Sequence, residues 1–196
     1  MVINSRFIAS LAPAFSVEEA RAFINRVKTE MPDASHHVPA FIIGSAESVV
    51  THCSDAGEPS GTAGRPALAV LQGSGLGDVV VVVTRYFGGT KLGTGGLVRA
   101  YSDAVRAVLA DVRRAERVPT HTIMLELPYP LLERARRLVS AHAGQVLDED
   151  FTASVVMAVR LPIERLSGFQ SELAELSNGS IQAEIIETGE TLVPID

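Results

Sequence analysis

With a single cysteine, Cys53, the chain has no internal disulfide, and a lone thiol fits a reducing compartment. No run approaches the roughly 20 apolar residues that a membrane helix needs. A targeting check at the start finds Arg6 before apolar Phe7 to Leu11, then Ala12-Pro13-Ala14, but that apolar core is too short for a signal segment. The expectation is a soluble, cytoplasmic protein. Neither familiar phosphate-loop spelling occurs: there is no Gly-Lys-Ser/Thr triplet, and Gly93-x-Gly95 is followed by Val98 where the dinucleotide fingerprint has glycine. An ordinary nucleotide cofactor site is therefore not expected. Metal binding is not expected either, because His36 and His37 have no third ligand at the usual spacing.

Composition is otherwise ordinary for a globular chain of 196 residues, 46% apolar and 20% charged, enough for one large domain or two small ones. Charge is uneven. Residues 1–117 hold twelve Lys/Arg against eleven Asp/Glu, a net of +1, and the remainder holds five against twelve, a net of −7. The second half is thus a poor polyanion binder, and contacts to nucleic acid belong to the basic groups of the first.

The segment from Arg85 to Tyr101 organises the chain. It follows the apolar run Val79 to Val83, which reads as a strand buried on both faces, and leads into apolar residues at helical spacing, Leu97, Ala100, Tyr101, Ala104, Val105, Val108 and Leu109. Between them, Arg85, Tyr86, Gly88, Gly89, Lys91, Gly93, Thr94, Gly95, Gly96 and Arg99 make a glycine-rich, cationic loop ahead of a helix N-terminus. Two readings stay open. Exposed N–H groups, the helix dipole and three long cations suit an anion or an acidic partner. The same glycines also serve tight turning and close helix-to-sheet packing. Tyr101 reads as core.

Upstream, Ser54 to Gly64 is a loop throughout, with Gly57, Pro59, Gly61 and Gly64 interrupting regular structure. Its Asp55, Glu58, Ser60 and Thr62 are either turn-making side chains bonded to nearby backbone or, with His36, acid–base groups of a small-molecule enzyme. The turn-making reading is favoured, since no nucleophile, metal set or cofactor fingerprint accompanies these residues, and no catalytic residue is assigned. Whether this loop faces the glycine-rich one across a groove is not decided by spacing.

Elsewhere, residues 3–11 read as a first strand. Ser16 and Glu19 spell a capping box opening a helix that Pro32 stops. His36 to Ile43 and Ser48 to His52 form a hairpin around residues 44–47, and a short helix starts near Pro66 and ends at Gly73. Charged Asp111 to Arg117, followed by Pro119, reads as a linker, giving domains at 1–115 and 118–196. Beyond it come strand Thr120 to Leu127, helix Pro130 to Ala143, strands Gln145 to Asp150 and Thr152 to Leu161, helix Ile163 to Leu176 and strand Ser180 to Thr188. This βαββαβ order predicts a ferredoxin-like sandwich in an α+β protein. An RNA-binding version would carry aromatics on its open sheet, and Phe151 alone does not supply them.

The glycine-rich string at 85–101 and the string Ser54-Asp-Ala-Gly-Glu-Pro-Ser-Gly-Thr-Ala-Gly64 together closely resemble the signatures of the IMPACT/YigZ family, in its two-domain bacterial form. Ala56 stands where the family usually carries a second Asp, Met31 where a His commonly precedes the proline, and His36 where the family usually keeps His. The resemblance implies an N-terminal domain like domain 2 of ribosomal protein S5 and a C-terminal ferredoxin-like domain like those of elongation factor G. It also implies translation regulation, with ribosome, RNA or a translation-associated protein as partner, and no defining enzymatic reaction or cofactor.

Overall fold

The computed structural model describes residues 2, 4–44 and 48–195, so the expected turn at 45–47 and the start of the first strand at Ile3 lie outside the described residues. The chain divides into two compact units, Met1–Val112 and Arg113–Asp196.

The first unit runs β1 (Arg6–Pro13), α1 (Val17–Glu30), β2 (His36–Ile43), β3 (Val50–Cys53), α2 (Gly64–Gly73), β4 (Val79–Tyr86) and α3 (Gly93–Ala110). Its sheet has the order β1-β4-β2-β3, with all three pairings antiparallel. Helix α1 opens on the expected box: Ser16 Oγ accepts from Glu19 N–H at 3.1 Å, while the Glu19 carboxylate accepts from Phe15 N–H at 2.7 Å.

Strand β4 explains the organisation of this unit. Val79, Val81 and Val83 pack with Val38, Ala40 and Ile42 beneath α2 and α3, whereas Val80 and Val82 pack with Phe41 and Ile43 against α1. Alternation thus sends successive valines into two different cores. Each fully buried valine contributes about 1.5–3 kcal/mol by leaving water. The strand continues beyond the valines, so Arg85 and Tyr86 belong to β4, not to the loop. Helix α3 likewise begins earlier than expected, with Gly93 to Gly96 forming its first turn.

The second unit contains β5 (Arg114–Leu127), α4 (Leu132–Ala141), β6 (Gln145–Phe151), β7 (Val155–Pro162), α5 (Leu166–Ser177) and β8 (Glu184–Ile195), each helix preceded by a short 3-10 turn. Strand order β6-β7-β5-β8 is that of the ferredoxin-like sandwich. Ile123, Leu125, Leu127, Val155, Met157, Val159 and Leu161 face α4 and α5 through Ala135, Val139, Phe169 and Leu173. Register leaves Glu184, Glu187, Asp148 and Asp150 opposite Met124, Thr122, Ala158 and Val156 on the uncovered face, which is therefore acidic.

Residues 114–117, read from sequence as linker, are the first rungs of β5, from Arg114 opposite Ile195 to Arg117 opposite Leu192. Charged side chains are tolerated there because all four are exposed and the backbone is satisfied by β8.

Candidate functional site

The two glycine-rich strings of the sequence meet through one buried carboxylate. Glu58 belongs to the loop before α2, yet its side chain is only 3% exposed. Its Oε1 accepts from Arg85 Nη1 at 2.5 Å and from the Tyr101 hydroxyl at 2.7 Å, and His36 Nε2 lies 3.8 Å away. Loop, β4, α3 and β2 each supply one member of this cluster. Arg85 Nη2 reaches Ser5 Oγ at 3.4 Å, and the guanidinium lies 5.4 and 5.3 Å from the ring centres of Phe7 and Phe87.

A carboxylate and a guanidinium are buried here at a cost of several kcal/mol each, which their mutual attraction offsets only with good geometry. Two donors on one carboxylate oxygen supply that geometry. Arg85 is thus a fixed internal cation, not a loop cation offered to a ligand, which corrects the sequence reading. Burial, then the hydrogen bond to Glu58, pushes the Tyr101 hydroxyl well above the ordinary tyrosine range, so Tyr101 stays a neutral donor. Nothing in the sequence pairs Tyr101 with Glu58 or Ser5 with Arg85. The available signal was that a core tyrosine needs a partner for its hydroxyl.

The remaining members of the first loop build the loop itself. Asp55 accepts from Gly61 N–H at 2.8 Å, Ala63 N–H at 3.1 Å and Gly64 N–H at 2.8 Å. Partial burial raises its carboxyl, but these backbone donors outweigh burial and hold it below the usual aspartate range. Thr62 Oγ1 donates to Pro59 C=O at 2.7 Å, and Ser60 is exposed. His36 Nδ1 donates to Ala56 C=O at 2.9 Å, closing the loop onto β2. The structure therefore brings His36 and Glu58 together with Arg85 and leaves Asp55, Ser60 and Thr62 in other roles.

The second string divides by function along its length. A Cβ on Gly88 would lie 2.1 Å from Asn4 C and 2.5 Å from Ser5 N, so this glycine admits the N-terminal segment, and its N–H donates to Ser5 Oγ at 3.2 Å. Tyr86 is half-buried at the end of β4. Gly89 and Gly93, with φ of +84° and +71°, turn the chain into α3. From there the segment opens to solvent. No side chain caps α3, so the N–H groups of its first turn, Gly93 to Gly96, have no side-chain partner at the cap. Lys91, Thr94 and Arg99 are exposed, and among the described residues Lys91 and Arg99 make no ion pair. Arg99 lines a cleft of about 390 Å³ with Leu92, Gly95, Gly96 and Asp103, the last held by Arg106 at 2.7 Å.

The family model for the Impact N-terminal domain matches residues 3–109, and a domain of unknown function matches residues 125–180. The chain belongs to the IMPACT family. It is 41% identical to IMPACT family member YigZ of Escherichia coli over 94% of this chain and 91% of that one. An IMPACT family member of Haemophilus influenzae is 38% identical over 95% and 91%. A crystal structure described only as that of a hypothetical protein is 40% identical, covers 95% of this chain and 91% of its own, and superposes with a TM-score of 0.61. The Impact domain match spans both glycine-rich strings, so the Glu58 cluster and the open turn of α3 lie together within the family's defining domain.

Among the described residues no group of three or more His, Cys, Asp or Glu could hold a metal ion, and no helix is long and apolar enough to cross a membrane. Cys53 is half-buried, and burial, then the negative charge of Asp55, pushes its thiol above the ordinary cysteine range, a poor setting for a nucleophile.

Proposed function

We propose that this IMPACT family member is a non-enzymatic, translation-associated binding protein acting in the cytoplasm, and that its contact surface is the segment from Lys91 to Arg99. The partner is anionic there, a ribosomal or other RNA backbone or an acidic patch on a translation-associated protein. Membership of the IMPACT family supports the translation setting. One observation carries the site: two exposed cations that make no ion pair among the described residues, Lys91 and Arg99, flank a helix first turn that has no side-chain cap. Backbone N–H groups and long cations converging on one place suit phosphate or carboxylate oxygens.

Against a catalytic role stand the engagements of the acid–base candidates. Asp55 is occupied by three backbone donors, and Glu58 by Arg85 and Tyr101. So held, each carboxylate serves as a structural acceptor that ties the loop to its surroundings. The proposal is tested by sedimenting the protein with ribosomes, with and without RNase, over rising salt. Pelleting that falls steadily with ionic strength supports an electrostatic contact. Pelleting absent at low salt, together with no binding to any translation factor of acidic surface, overturns it.

A further inference from the structure

On the opposite side of the first unit's sheet, a second cationic site is assembled from α1, β2 and β3. Arg21, Asn25 and Lys28 follow one another at i, i+4 and i+7, so they form a stripe along α1 beside the buried stripe of Ala20, Ile24 and Val27. Across from them, His37 and His52 come from β2 and β3, and Ser54 follows β3. These residues line a cleft of about 420 Å³ whose other walls are Ile24, Pro39 and Ala56. Among the described residues no carboxylate lines it. Asp55, between Ser54 and Ala56 in sequence, sends its carboxylate to the backbone of Gly61, Ala63 and Gly64 instead.

The histidines are held in place. His37 Nε2 donates to Met31 C=O at 3.0 Å, and the His52 ring stacks on Phe41 with ring centres 5.1 Å apart. Arg21 and Lys28 make no ion pair among the described residues, whereas their helix neighbour Arg26 is paired with Glu30 at 3.7 Å. Two permanent cations, an amide and a hydroxyl, with the His52 ring beside them and no carboxylate among the described residues, make a lining that favours a dianionic oxygen cluster over water alone. We propose that this cleft binds a phosphate ester, either a discrete phosphorylated small molecule or a phosphate of an RNA strand. The inference stands apart from the Lys91–Arg99 surface, with which it shares no residue.

The test is an NMR titration of the isotope-labelled full chain with inorganic phosphate, with uridine monophosphate and with a uridine hexanucleotide in separate arms. Saturable shifts are expected at the amides of residues 21–28 and the ring C–H signals of His37 and His52. Binding by phosphate or the mononucleotide identifies a discrete phosphate ligand, and binding by the hexanucleotide alone identifies an RNA backbone. In the second case, two contacts give a slope of about −1.4 for log K against log salt. Arg21→Gln with Lys28→Gln should weaken binding tenfold or more, with amide dispersion unchanged because both side chains are exposed. Lys91→Ala with Arg99→Ala should leave these shifts intact, so failure of the loop reading does not affect this one. Absence of saturable shifts at the cleft in all three arms, or wild-type affinity in the Arg21/Lys28 double variant, overturns the proposal.

Discussion

Glu58 and Arg85 lie 27 positions apart in sequence and form an ion pair in which the two side chains are 3% and 5% exposed. This pair joins the two glycine-rich strings of the Impact domain and anchors the base from which the loop to α3 departs.

Removing one partner leaves the other charge buried and unpaired. Glu58→Ala or Arg85→Ala should therefore destabilise the first unit by about 3–5 kcal/mol, read as a shift of the urea midpoint. Tyr101→Phe removes only a hydrogen bond to a charged group and should cost about 1.5–3 kcal/mol. A double-mutant cycle between positions 58 and 101 should show coupling; additivity within experimental error would contradict the shared-oxygen geometry.

The glycines separate into two kinds. Gly88→Ala drives a methyl into the backbone of Asn4 and Ser5 and should cost more than about 2 kcal/mol. A Cβ on Gly95 meets nothing within 4 Å, and this residue is already helical, so Gly95→Ala should leave stability unchanged or raise it by up to about 1 kcal/mol. Thermal melts of the two variants check this. If the Gly95 variant is as stable as wild type yet binds its partner more weakly, the glycine serves close approach of the ligand.

Asp55 gives a pH signature. Its folded carboxyl sits below its unfolded value of about 3.9, so its contribution is present above that pH and is lost as pH falls through the folded value. Asp55→Asn should therefore be destabilising near pH 7, and the gap from wild type should close as pH drops from about 4 downward. The side chain is half-exposed, so the effect is smaller than for a buried group. Urea denaturation at stepped pH measures it; a gap that is constant down to pH 2 would contradict the backbone-capping role.

Much of this fold was legible because the apolar periodicity was clean. The continuous run Val79 to Val83 announced a strand covered on both faces, and Ile123, Leu125 and Leu127 alternated as a one-sided sheet requires. What escaped was set by distant partners. Arg85 looked like a loop cation because its carboxylate lies 27 residues upstream, and local pattern carries no record of such a pair. Gly93 to Gly96 looked like loop because glycine is a poor helix former, and only packing of Leu97, Tyr101 and Val105 on the sheet makes them a helical turn. Residues 114–117 looked like linker because their charge pattern fits an exposed two-stranded ribbon as well as an unstructured connection.

The central claim is that the surface at the start of α3 makes the contact. It is tested most directly by comparing two double variants in co-sedimentation with ribosomes at low salt. Lys91→Ala with Arg99→Ala should lower the bound fraction severalfold and leave the melting temperature within about one degree, since both side chains are exposed and make no ion pair among the described residues. Arg134→Ala with Arg137→Ala, on α4 of the acidic second unit, should bind as wild type. Loss of binding in the second pair with none in the first would place the contact on the second unit and leave the glycine-rich turn a purely structural one.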